Sequence, residues 1–377
     1  MKNTKLIEQQ IQEQNEDYIK KYLEKNKEII KETPLKKSKY TNITKLNEII
    51  KTTKTGKAEI NINQKEKAEI IEINSIEELK NNPTKTLIKK TLNAESTPKD
   101  QYEAKANTAI EKATIIKLKE TKEQIKIKIK TKNNTCNKVI IIIPKNSETT
   151  IITEYELEEN SILAQTLICE ENSKINHAQK IEAKKEAILT KQFILEKDTK
   201  LTNSELIFNG ELFRTNTTIV LEQEGAETQY YSSLIGEKQN KHDINYIALH
   251  KGENTKSHFI FKSVAKDQSK NVFDGMIKIT ETGKKTNALL ECHGMIIGNQ
   301  ASINQIPSLE ISNDDVKATH SATIAHIQED EIFYLQTRGL ETEQAKKMII
   351  KSFLESNTTI LPENTKKEIV EEIEKRV

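Results

Sequence analysis

Cys292 and His320 are the residues of this chain best suited to chemistry. Cys292 lies in LLECHGMII and His320 in DVKATHSATIAH, 28 positions further on. A thiolate and a neutral imidazole both bind borderline and soft metals, but a thiolate serves zinc or an iron–sulfur centre only with further ligands beside it. Glu310, in PSLEIS, is charged within an apolar strand pattern and offers a carboxylate to the same site. Each has a more ordinary role open to it. A lone strand cysteine is most often a small buried hydrophobe. His320, read at a small-residue corner, has backbone hydrogen bonding as its commoner use. Glu310 has the role of solvent-facing member of an alternation, and His326 that of a solvated turn residue.

The remaining candidates carry less. Cys136 and Cys169 have no titratable neighbours in sequence and read as structural. His242, His250 and His258 recur every eight residues, yet eight residues of strand and corner do not align three imidazoles. Gly283-Lys284 lacks the upstream glycine of a phosphate-binding loop, which excludes ATP binding by that device. Neither G-x-S-x-G, H-E-x-x-H nor C-x-x-C occurs. The expectation is a protein that supplies ligands and geometry and is not a self-sufficient enzyme.

Composition narrows the partners. Lys plus Arg (59) nearly balances Asp plus Glu (57), and only Arg214, Arg338 and Arg376 are arginines. A net charge of +2 gives no reason to expect nucleic acid or an anionic membrane. No 18-residue apolar run and no apolar leader occur, so a cytoplasmic location is expected. With 35% hydrophobic residues and no tryptophan, much of the core must be β-branched, which suits strands.

Three zones must position these side chains. Residues 1–107 read as a helical region. Ile7, Ile11, Tyr18, Tyr22 and Ile29 make one apolar stripe that Pro34 ends, followed by the extended piece KAEINI and a helical stretch near Ser75 to Asn81. Residues 108–313 are a run of short alternating strands with polar corners about every 12 residues, the interval of a two-strand coil of roughly 24. Asn209-Gly210 is a hairpin-type pair at a corner, such pairs are otherwise nearly absent, and no helices intervene. The fold class is therefore mainly β, a parallel β-helix or β-solenoid, with a sandwich as the alternative. Residues 314–377 read as helical: Gly339 suits the C′ position, Thr342 a cap, and Ala345, Met348, Ile349 and Phe353 one helix face. A last helix after Pro362 is expected to cover an open end of the solenoid.

At this point the residues resemble a family, the SufB/SufD proteins of iron–sulfur cluster assembly. DVKATHSATIAHIQEDEIFYLQTRGL is similar to the family's junction "DVK-x-x-H-x-A-T … FY-x-x-RG(L/I)". Arg214 to Asn216 (RTN), EGAE, HDINYIALH, FKSVAKDQSKNVFDGMI and CHGMIIGNQA follow in family order. KSKYTNI resembles an N-terminal "W-K-Y-T" element with Ser38 in place of tryptophan. The likeness is clear from about Ile207 to Leu354.

The resemblance implies a right-handed β-helix core with helical ends and a transient iron–sulfur cluster at the interface of two such subunits, with no directly bound ATP. It places the cluster ligands at Cys292 and His320; Glu310 stays a candidate on its residue chemistry alone. Phe333, Tyr334, Leu335, Arg338, Gly339 and Leu340 would dock a SufC-type ATPase, and Arg214 and Asn216 would be structural. Two departures stand out. Thr319 and Ser321 replace the acidic neighbours that SufB proteins carry around this histidine, and Ala318 replaces a SufD-type cysteine. The chain is SufD-like at the junction and SufB-like at Cys292, which favours a homodimer in which Cys292 of one subunit meets His320 of the other. A heterodimer, a SufD-like accessory without cluster ligands and, distantly, a carbohydrate-acting β-helix enzyme are the alternatives.

Overall fold

A computed structural model describes residues 23–28, 30, 43–75, 78 and 101–377. The apolar stripe expected from Ile7 to Ile29, the helix end at Pro34 and most of the stretch near Ser75 to Asn81 lie outside the described residues. The strands begin with β1 (Lys54–Thr55), β2 (Glu59–Ile62), β3 (Ala68–Glu72), β4 (Ala113–Leu118), β5 (Ile125–Lys130), β6 (Thr135–Ile143) and β7 (Glu148–Leu157). They continue with β8 (Ser161–Cys169), β9 (Lys174–Ala183), β10 (Glu186–Leu195), β11 (Lys200–Asn209), β12 (Leu212–Leu221) and β13 (Glu227–Gly236). The last are β14 (Lys241–His250), β15 (Lys256–Lys266), β16 (Lys270–Ile279), β17 (Asn287–Ile297), β18 (Ser302–Ile311) and β19 (Lys317–His326).

From β4 onward the even strands stack in parallel into one sheet and the odd strands into a second. Two strands per coil and about eight coils make a parallel β-solenoid, as the corner spacing anticipates. Rung partners are 26 residues apart in early coils, 29 in middle ones and 32 at the end, longer than the roughly 24 expected from the corner spacing, because strands run to ten residues. The corners explain why coils stack without hairpin turns. Asn146, Asn172 and Asp198 take left-handed backbone (φ 57, 55 and 53), which Asn and Asp tolerate best after glycine. Their amides then donate to carbonyls of the next coil at 2.8–3.0 Å, and Asn172 Nδ2 bonds Asn146 Oδ1 at 3.0 Å.

Alternation sends Ile127, Leu163, Phe193, Leu234 and Phe273 inward to form the core between the sheets. Outward apolar residues are covered by helices. Helices α1 (Ile43–Thr52) and α2 (Gln101–Thr108) bring Ile49, Ile50 and Ala106 onto Ile162, Ala164 and Ile188 of the first sheet. At the other end of the chain follow α3 (Glu329–Thr337), α4 (Thr342–Glu355) and α5 (Glu363–Arg376). Ile350, Leu354, Ile369 and Ile373 pack on Ile152, Ala178, Leu206 and Val264 of the second sheet.

Several expectations need correction. The last helix does not cap an end. It lies along the second sheet, where the outward apolar residues are, and reaches back to β5 through Glu368 and Lys126 (2.8 Å). The cap of α4 is Glu341, in a capping box with Gln344, and Thr342 is already helical. Ala345, Ile350 and Leu354 form the buried face of α4, while Met348 is 55% exposed. Gly339 does take the C′ position (φ 92), with its amide and that of Leu340 closing on Gln336 and Leu335. Strand structure also extends beyond 108–313 on both sides, to β1–β3 and to β19.

The two ends of the solenoid differ. At the first, β2 and β3 run antiparallel to β5 and β4. At the last, β18 and β19 carry no further coil among the described residues. Leu309, Ile311 and Ile324 point inward by alternation, yet each is 37–45% exposed.

Candidate functional site

Cys292 sits on β17, whose inward residues Ala288, Leu290 and Cys292 belong to the core. Its rung neighbours are Phe261 on β15 below and Ala322 on β19 above. The side chain is fully buried. Burial, reinforced by the negative charge of Glu291, pushes its thiol up to about 12. At neutral pH the residue is a thiol, and only exposure or a bound cation makes it a ligand.

His320 is not at a corner. KATHSATIAH, rich in alanine and threonine, forms the last strand, β19, with the turn displaced to Ser312–Asp315, where Asn313 Oδ1 accepts from the Asp315 amide at 2.9 Å. His320 pairs with Leu290, on the same inner face as Cys292 and displaced from it by two residues. One strand spacing across and two residues along put such neighbours about 8 Å apart. The imidazole is exposed because no coil follows. The structure therefore brings Cys292 and His320 to one face of one open end, within a single chain. Glu310 is not with them. It points outward from the first sheet and pairs with Lys278, its rung neighbour, at 2.5 Å. His326 ends β19 and is exposed.

On the outer face, directly behind Cys292, stands a cluster that the sequence pattern does not reveal. Glu291 accepts from His258 Nε2 at 2.8 Å and lies 3.7 Å from His293 Nε2. His293 Nδ1 meets Thr323 Oγ1 at 2.9 Å, which ties β17 to β19. Burial, and then the charge of Lys262, lower His293 against the opposing pull of Glu291. Outward spacing of Glu291 and His293 was legible, but the partners arrive from strands about one coil away. The other histidines of the eight-residue series stand apart: His242 is held by Asn271 and the Asn209 carbonyl, and His250 by Thr255 and Ser257. No group of three or more His, Cys, Asp or Glu among the described residues is arranged to hold a metal ion. Cys136 and Cys169 are buried, and burial raises both thiols, Cys136 to about 12.

Phe333 and Tyr334 on α3 are 66% and 58% exposed, the largest apolar exposures there. Arg338 lies 5.4 Å from the Tyr334 ring centre. Gly339 is exposed, and Leu335 and Leu340 are half-buried beside them. Arg214 pairs with Asp243, its rung neighbour on β14, and Asn216 is buried two residues along. No described helix is long and apolar enough to cross a membrane.

These features can be set beside known proteins. The family model for the SUF system FeS cluster assembly SufBD core domain matches residues 127–353, well over half of the chain. An iron–sulfur cluster assembly SufBD family protein of Staphylococcus saprophyticus is 33% identical over 143 residues, 38% of this chain and 31% of that protein. One from Staphylococcus aureus strain USA300 is 32% identical over the same length. A chloroplastic SufBD family protein of Arabidopsis thaliana is 30% identical over 146 residues, 39% of this chain and 26% of the relative. The chain thus spans under a third of the length of the curated relatives it matches. The matched core domain covers the whole open end and the candidate ligands, and the chain belongs to the SufBD family of iron–sulfur cluster assembly proteins.

Proposed function

We propose that this protein is a scaffold subunit of a SUF-type assembly complex that builds a nascent iron–sulfur cluster at its open solenoid end. The observation that carries the reading is the placement of His320 and Cys292 on one inner face, the imidazole exposed and the thiol one strand below. The exposed inward residues Leu309, Ile311 and Ile324 around them form an apolar end surface that a second subunit would cover, most simply a second copy. The exposed Phe333, Tyr334 and Met348 are the surface on which a SufC-type ATPase would dock. ATP hydrolysis then belongs to that partner.

The buried thiol gives the mechanism its logic. Cys292 is protonated while β19 covers it, so it can lose its proton and ligate iron only when the end opens, with sulfide entering as a ligand to that iron. Docking and ATP-driven movement of the partner would supply that opening, and reclosure would hold the product away from water. Anaerobic incubation of the full chain with ferrous iron and sulfide tests this. Cys292→Ala/His320→Ala should lose the visible cluster absorption while retaining ATPase binding; full loading of the double variant sinks the reading.

One observation favours a second reading. Complete burial of Cys292 also suits an accessory subunit that stabilises a separate SufB-type partner and holds no cluster. Unchanged complex activity in Cys292→Ala, with normal subunit association, would select it.

A further inference from the structure

Helix α4 is fastened to the second sheet at one place by polar contacts. Lys262, outward on β15, points its ammonium at the end of α4. Its Nζ donates to the Phe353 carbonyl at 3.1 Å, contacts Ser356 Oγ and lies 4.9 Å from the Phe353 ring centre. The Phe353 carbonyl also accepts from Ser356 Oγ at 2.7 Å, so the cation adds a second donor there and meets the negative end of the helix dipole. Just beyond, the buried Asn357 donates through Nδ2 to the Ser232 carbonyl at 2.9 Å and to Ser233 Oγ at 3.1 Å.

The rows that these contacts grip are the informative part. Through the rung pairings, Ser232, Phe261, Cys292 and Ala322 form one row across the second sheet, and Ser233, Lys262, His293 and Thr323 form the next. The end of α4 is therefore anchored on the two rows that run through the thiol to Ala322 and through His293 to Thr323, whose side chains bond across to β19. Elsewhere α4 meets the sheet through apolar packing of Ile350 and Leu354, which fixes no register.

We infer that Lys262 and Asn357 are positioning residues that make α4 and the rows through Cys292 and His293 move as one body, so that a displacement of the helix reaches the strand over the thiol. Use of this coupling by an ATPase rests on the proposed function. The coupling itself is a property of this chain and can be measured alone.

Native-state amide hydrogen exchange on the full chain tests it. Amides of residues 346–352 and of 290–295 should show the same protection and lose it together in mild denaturant. In Lys262→Met/Asn357→Ala the helix amides should exchange at least tenfold faster and independently of 290–295, with β7–β11 unchanged. Lys262→Arg, which keeps the charge and donors, should restore joint behaviour. A native helix that opens separately from 290–295, or a double variant with joint protection intact, overturns the inference. A second arm follows Cys292 alkylation by N-ethylmaleimide with a SufC-type ATPase and ATP. A native chain that opens jointly by exchange but shows no nucleotide response in alkylation overturns only the docking reading. A response equal in native and double variant overturns the coupling.

Discussion

His320 stands beside Leu290, so the imidazole and the Cys292 thiol share an inner face but are offset by two residues along neighbouring strands. The spacing of 28 residues falls short of the 30-residue register measured by the His293–Thr323 pair. A site made from both side chains therefore spans a diagonal, wide enough for atoms to sit between them.

The buried thiols set an alkaline limit. Burial pushes the Cys136 and Cys292 thiols up to about 12, against about 8.5 for an unfolded thiol. Folded values above unfolded ones mean stability that is fully present below about pH 8.5 and lost as pH rises toward 12. Thermal melts at about pH 8 and 10.5 should show a smaller loss in a variant with all three cysteines changed to alanine. An equal loss would show that the thiols do not contribute.

Inside the solenoid, Lys191 and Glu205 form a buried ion pair, with Tyr230 Oη 2.9 Å from Lys191 Nζ and 2.8 Å from Glu205 Oε2. Burial lowers Lys191 against the opposing pull of Glu205. Glu205→Gln should cost about 3–5 kcal/mol, because it strands a cation in the core. Replacing both with Lys191→Met/Glu205→Leu should recover most of that. Urea unfolding of the three variants measures it.

The open end should respond to charge without loss of fold. Ile311→Lys/Ile324→Lys places two ammonium groups on an exposed apolar surface. Light scattering should find the variant monomeric at concentrations where the native chain pairs, with melting unchanged within about 2 °C. A native chain that remains monomeric throughout refutes self-pairing.

Docking should depend on the aromatic pair. Phe333→Ala/Tyr334→Ala should weaken binding of a SufC-type ATPase at least tenfold by calorimetry, since exposed aromatic anchors are often worth about 2 kcal/mol. The loss should leave the melting temperature intact, because both rings are solvent-exposed.

Much of the architecture was legible because it follows from local rules. Alternation and Asn or Asp corners specify coils without reference to distant residues, so the solenoid and the Gly339 helix end could be read directly. The last strand was missed because Ala318, Ser321 and Ala322 look like turn residues; only stacking on β17 makes them a strand. The outer cluster of His258, Glu291 and His293 was hidden for a similar reason, as its members join across coils whose lengths change from 26 to 32 residues. Placement of the last helix depended on where outward apolar residues accumulate, which needs the rung register first.

The antiparallel strands β2 and β3 at the first end have a consequence for stoichiometry. A stacked solenoid with two bare ends adds copies head to tail and grows into a fibre. At the first end β2 and β3 run antiparallel to the coils they sit on, so that end offers no parallel rung register to a second copy, whereas β18 and β19 do. If two β18–β19 faces met they would consume each other, and such a pair would not extend into a filament by the same contact.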